Sequence, residues 1–136
     1  MKSAGYSETP LAKKLGIKEH FKIKLFNQPP YYLSLFSDWP ANVQEINDVK
    51  IKKNLIHFFV TEIRQLQGKI TQLKAEIEPN GCIWISWPKK AAKVVSNVSE
   101  NDVRHIALTN GLVDIKVCAV DEVWSGLKLV IPVKDR

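Results

Sequence analysis

Two lysines that directly follow a tryptophan and a proline, Trp87-Pro88-Lys89-Lys90, form the grouping in this chain best suited to chemistry. Adjacent ammonium groups pair with phosphate or carboxylate oxygens, and an indole stacks on a planar ring. The alternative is a strand-ending proline followed by solvated lysines whose stems lie along apolar surface. A second grouping, Asp121, Glu122, Trp124 and Ser125, crowds one short connection. Carboxylates there could orient a ligand or exchange protons with it. They could equally shape a turn, or form ion pairs with Lys89 or Lys90. Asn27 and Gln28 add side-chain amides after an earlier apolar segment.

Other chemistries find no pattern. Cys82 and Cys118 sit in separate strand-like segments, and His20, His57 and His105 are far apart, so no zinc-finger spacing exists and no metal is expected. His57 lies within Leu55-Ile56-His57-Phe58-Phe59-Val60, which predicts a hydrogen-bonded core histidine. Ser125 lacks the glycine frame of a nucleophile elbow, and no P-loop occurs.

These residues need a scaffold, and 136 residues with 45% apolar and 25% charged content suffice for a single α/β domain with one core. The expected domain spans residues 1–136, with residues 1–7 frayed. No apolar run reaches the ~20 residues of a membrane span, and the N-terminus does not read as a signal peptide, so a cytoplasmic protein is expected. Both cysteines are expected reduced and buried. The net charge of +6 is uneven: Lys2, Lys13, Lys14, Lys18, Lys22 and Lys24 face only Glu8 and Glu19 within the first 24 residues. Such a segment could attract nucleic acid or an acidic partner, or be a solvated face.

Local signals predict the elements. Thr9 caps a short helix with Pro10 in its first turn and Gly16 at its end. Lys22–Phe26 reads as the first strand, Tyr31–Ser37 as two helical turns, and Val43–Ile46 as a short strand. Leu55–Val60, nearly all apolar, is a strand buried on both faces at the sheet centre. Ile63, Leu66, Ile70, Leu73 and Ile77 share one helix face, as a crossover helix or a coiled coil would arrange them. Pro79-Asn80-Gly81 breaks that helix before a strand from Cys82 to Trp87. Ser99 and Asp102 form a capping box, with Val103, Ile106 and Ala107 facing inward and Asn110-Gly111 ending the helix. Leu112–Val120 alternates Val113, Ile115 and Val117 on a buried face with Asp114, Lys116 and Cys118, which suits a strand near a sheet edge. The connection 121–126 leads antiparallel into a last strand, Leu127–Val133.

This succession is similar to the closing half of class I S-adenosylmethionine-dependent methyltransferases, and Glu78-Pro79-Asn80-Gly81-Cys82-Ile83-Trp84-Ile85 resembles the turn that precedes a central strand there. The segments Ser7–Ile17, Trp87–Lys90 and Val117–Val130 also resemble a family of small uncharacterised bacterial domains, which brings no established function. The implied fold is a three-layer, Rossmann-like, mostly parallel sheet ending in an antiparallel strand pair. Its ligand edge lies beyond the carboxyl ends of the parallel strands. The methyltransferase resemblance implies S-adenosylmethionine as cofactor. Yet the turn after the first strand, Asn27-Gln28-Pro29-Pro30-Tyr31-Tyr32, has no glycine to let the backbone approach a cofactor. No resident cofactor is therefore expected. The expected function is a non-catalytic ligand-binding or regulatory module, with a small anionic ligand or a partner protein at that edge. A degenerate methyltransferase is the first alternative, and nucleic-acid or acidic-partner binding through the basic N-terminal segment the second.

Overall fold

The computed structural model describes residues 9–136. Lys2 and the expected fraying of residues 1–7 lie outside them. Six strands form one sheet in the order β2-β1-β3-β4-β6-β5. They are β1 (Lys22–Phe26), β2 (Gln44–Glu45), β3 (Lys53–Phe59), β4 (Ile77–Pro88), β5 (Val113–Ala119) and β6 (Trp124–Val130). β1 pairs in parallel with β2 and β3, and β3 pairs in parallel with β4. β6 runs antiparallel to both β4 and β5, the expected closing pair.

Each sheet face has its own cover. Alternate residues of the central strands, among them Ile56, Phe58, Ile83, Ile85, Leu127 and Leu129, meet helices α2 (Ile63–Ala75) and α3 (Glu100–Thr109). Leu66, Ile70 and Leu73 of α2 are buried there, so the heptad-like spacing belongs to a crossover helix between parallel strands. The opposite face carries Ile23, Leu55, Cys82, Trp84 and Val130 against helix α1 (Leu11–Leu15). Trp84 is fully buried and donates its indole N–H to Leu15 O at 2.8 Å, which docks α1 on the sheet. Among the described residues it is the largest fully buried side chain. A 3-10 turn, Tyr32–Leu35, lies on the same face, with the Tyr32 ring edge-on to Phe59.

Several local expectations are corrected. Pro10, not Thr9, occupies the N-cap of α1, and the Asp38 carboxylate accepts from Ala12 N and Lys13 N at 3.1 Å each. Gly16 ends α1 as expected, in the left-handed region at φ 82°. Ile77 opens β4 instead of closing α2, and Pro79-Asn80-Gly81 is an irregular insertion inside β4. Between Lys53↔Ile77 and Leu55↔Cys82 the register shifts, and a Cβ on Gly81 would lie 3.0 Å from the carbonyl oxygens of Lys53 and Asn54. The glycine is thus required by close approach to β3 and not by a reverse turn. In β5 a register shift between Asp114 and Lys116 breaks the alternation. Ile115 and Val117 are consequently 57% and 49% exposed, although β5 is the edge strand as expected. Trp124, Ser125 and Gly126 belong to β6, not to the connection before it. The box of Ser99 and Asp102 on α3, its inward residues and its stop at Asn110-Gly111 match the sequence reading.

Candidate functional site

β1, β3 and β4 end their parallel runs at one edge of the sheet, where β5 also ends and β6 begins. After β1 the chain turns toward β2, and after β3 it turns the other way through α2 to β4, so a crevice is expected between β1 and β3. Asn27 stands at its mouth in the left-handed region, φ 56°, and donates its side-chain amide to Phe59 O at 3.3 Å. Gln28 is exposed beside it. The 3-10 turn that follows brings the Tyr31 hydroxyl to Asp121 Oδ2 at 2.8 Å, a bond between residues ninety positions apart. Burial first, then that hydrogen bond and the nearby carboxylate charge, raise the Tyr31 phenol above its ordinary value.

Asp121 is buried, and its other oxygen accepts from Val123 N at 2.8 Å and Trp124 N at 2.7 Å. It therefore shapes the β5–β6 turn in the manner favoured by aspartate, while also holding Tyr31. No ion pair among the described residues joins Asp121 or Glu122 to Lys89 or Lys90. Lys89 N donates to Val123 O at 2.8 Å, so β4 and the turn carrying Asp121 and Glu122 are brought together. Lys89 is half-buried, and Lys90 is exposed at the start of a short 3-10 turn, Lys90–Ala92.

The two tryptophans part company. Trp87 is 6% exposed and packs with the α2 and α3 core, whereas Trp124 belongs to the other face, its ring edge-on to Phe59 at 5.0 Å. Ser125 pairs with Trp87 across β6 and β4 and is half-buried. The fold thus gathers Lys89, Asp121, Glu122, Trp124 and Ser125 around one turn, with Asn27 and Gln28 at the end of β1.

Two buried polar clusters lie apart from this edge residue set. His57 is fully buried, with Nδ1 2.9 Å from the Tyr32 hydroxyl and Nε2 2.7 Å from Ser86 Oγ. Burial lowers its pKa to about 3, so the imidazole is neutral, the hydrogen-bonded core histidine expected from the apolar run. A serine, a histidine and a tyrosine in sequence could suggest nucleophilic chemistry, but Ser86 and His57 are both at 0% exposure. The other cluster escaped the sequence reading. Glu76 Oε1 meets Lys24 Nζ at 2.9 Å and Lys53 Nζ at 2.7 Å, all three residues being buried, and Glu76 Oε2 accepts from Gln72 at 2.8 Å. Burial would raise the Glu76 carboxyl, but donation from Lys53, Lys24 and Gln72 outweighs it and holds the pKa at about 2. Lys24 and the 8% exposed Lys14 are accordingly removed from the solvent-facing basic cluster expected of the N-terminal segment. A lysine in the middle of an apolar strand was the available signal.

Cys82 is buried, and burial raises its thiol to about 11; Cys118 is only half-buried, contrary to expectation. Among the described residues no group of three His, Cys, Asp or Glu side chains is placed to hold a metal ion, and no helix is long and apolar enough to cross a membrane.

The sheet order and this edge define a Rossmann-like, methyltransferase-type α/β fold, and solved structures of that class are similar to it. A methyltransferase from Aquifex aeolicus described as SAM-dependent superposes with a TM-score of 0.58 at 14% identity, covering 89% of this chain and 88% of that one. The ribosomal protein L11 methylase of Lactobacillus delbrueckii subsp. bulgaricus gives 0.57 at 12% identity, covering 89% and 74%. Magnesium protoporphyrin IX methyltransferase of Synechocystis PCC 6803, solved with bound SAH, gives 0.54 at 10% identity, covering 89% and 78%. At such identities the likeness concerns the fold alone. No curated protein matches the sequence significantly. The model of one family, "Protein of unknown function (DUF3052)", matches residues 43–133, and the chain belongs to that family.

Proposed function

We propose that this chain is a non-catalytic binding domain that takes a small anionic ligand at the carboxyl-terminal edge of its sheet. The observation that carries the reading is the contrast between Lys89 and Lys90, which have no ion-pair partner among the described residues, and the acid beside them. Asp121 is occupied by Tyr31 and two backbone N–H groups. A carboxylate so engaged organises the turn and is not available as a base, whereas uncompensated ammonium groups favour an anion. Glu122, exposed on the same turn, would orient a donor group of the ligand, and Trp124 would offer it an apolar wall.

Thermal unfolding with nucleotides and with phosphorylated or carboxylated metabolites tests this. A ligand at ~100 times its dissociation constant adds about 2.7 kcal/mol, visible as a higher midpoint. The Lys89→Ala/Lys90→Ala variant should lose that response while melting within a degree or two of the parent. An undiminished response in the double variant, or no response to any anion, would reject the reading.

A degenerate methyltransferase is the second reading, favoured by Asn27, whose left-handed backbone gives the turn after β1 a conformation usually left to glycine. In that reading S-adenosylmethionine would occupy the crevice between β1 and β3 despite Pro29 and Pro30. Calorimetric titration with S-adenosylhomocysteine decides it: saturable heat supports the reading, and its absence at millimolar ligand removes it.

A further inference from the structure

At the β5 end of the same sheet edge, α1 and the edge strand leave a groove of about 500 Å³ whose lining includes Lys14, Lys116, Val117, Cys118, Ala119 and Ser125. Its two lysines interlock. Lys14 Nζ donates to Ala119 O at 3.0 Å, and Lys116 Nζ donates to Lys14 O at 2.9 Å. Each ammonium is thereby fixed by a neutral carbonyl that uses one of its three N–H donors. Neither has an ion-pair partner among the described residues. Lys14 is only 8% exposed as a residue and lines the groove beside Lys116. Among the described residues no carboxylate lines the groove. The charges acting on the Cys118 thiol at its wall are those of Lys14, Lys116 and Lys89, all positive.

We propose that this groove is a second, separate binding site, selective for a small dianion such as a phosphate monoester or a dicarboxylate. Two immobilised ammonium groups match two negative charges, and their spare N–H donors supply hydrogen bonds of the charge-assisted kind. Monoanions would satisfy only one lysine. The site uses Lys14 and Lys116, so it stands or falls independently of the reading built on Lys89 and Lys90.

Cys118 reports occupancy. The alkylation rate of its thiol by iodoacetamide, followed by mass mapping on the full chain, is measured with inorganic phosphate, with succinate and with chloride at matched ionic strength. Phosphate or succinate should slow alkylation saturably, by fivefold or more, while chloride should not. Protection by phosphate alone assigns the site to phosphate monoesters, and protection by both to dianions generally. Lys116 is exposed, so Lys116→Ala should fold normally and lose the protection; Lys89→Ala/Lys90→Ala should keep it. No saturable slowing, slowing that survives Lys116→Ala, or slowing lost in the Lys89/Lys90 variant would each overturn the assignment.

Discussion

His57 shows how a single residue in this fold turns burial into pH sensitivity. Its folded pKa of about 3 lies below the ordinary 6.5, so below pH 6.5 the unfolded chain takes up a proton that the folded chain refuses. Stability from this residue is complete above pH 6.5 and falls as pH drops toward 3, by at most about 1.4 kcal/mol per pH unit. Glu76, held at about 2 against 4.5, adds its own loss only below pH 4.5. The two effects overlap below pH 4.5, so the range from pH 6.5 to 4.5 isolates that of His57. Urea unfolding of His57→Gln should show a flattened limb between pH 6.5 and 4.5; an unchanged slope there would mean that His57 is not the group responsible. That a core histidine sits in β3 was legible from the apolar residues around it. Its partners were not, because Tyr32 and Ser86 are 25 and 29 positions away and only the folded sheet brings them to one ring.

Among elements, β1, β3 and the end of α2 are joined by charge as well as by packing. Glu76, directly after α2, holds Lys24 of β1 and Lys53 of β3 within the protein. Removing the carboxylate would leave two buried ammonium groups unanswered, so Glu76→Gln should cost about 3–5 kcal/mol in denaturant unfolding. Replacing Lys24, Lys53 and Glu76 together by methionine should cost far less, because the desolvation of the charges disappears with them. A triple variant as unstable as Glu76→Gln would show that shape, not charge, dominates. Helix signals were readable because caps and apolar spacing are local, as the box of Ser99 and Asp102 illustrates. Irregular strands were not. Pro79-Asn80-Gly81 carries the residues of a turn yet lies inside β4, and the shift after Asp114 undoes an alternation that looked regular in β5. Both depend on the neighbouring strand, which one segment of sequence does not contain. The same holds for the candidate site: the proximity of Lys89 to the 121–124 turn followed from strand order, while the bond from Tyr31 to Asp121 had no local signal.

For the molecule as a whole, the sheet order carries a consequence for how the chain can be divided. The stretch matched by the family, residues 43–133, contains β2 and β3 but not β1, which lies between them in the sheet. A fragment cut at residue 43 would strand β2 without its neighbour and expose the flank of β3, whose residues Leu55 to Phe59 are all buried in the intact chain. An uncovered, apolar, hydrogen-bond-hungry flank is a template for association with other chains. The fragment should therefore sediment as oligomers or precipitate, and a synthetic peptide of residues 9–42 added during refolding should restore a monomer by inserting its strand in trans. A monomeric, cooperatively melting fragment without the peptide would show that the sheet can close its own gap. The inner position of β1 thus makes residues 9–42 part of the sheet's interior and not an appendage to the matched stretch.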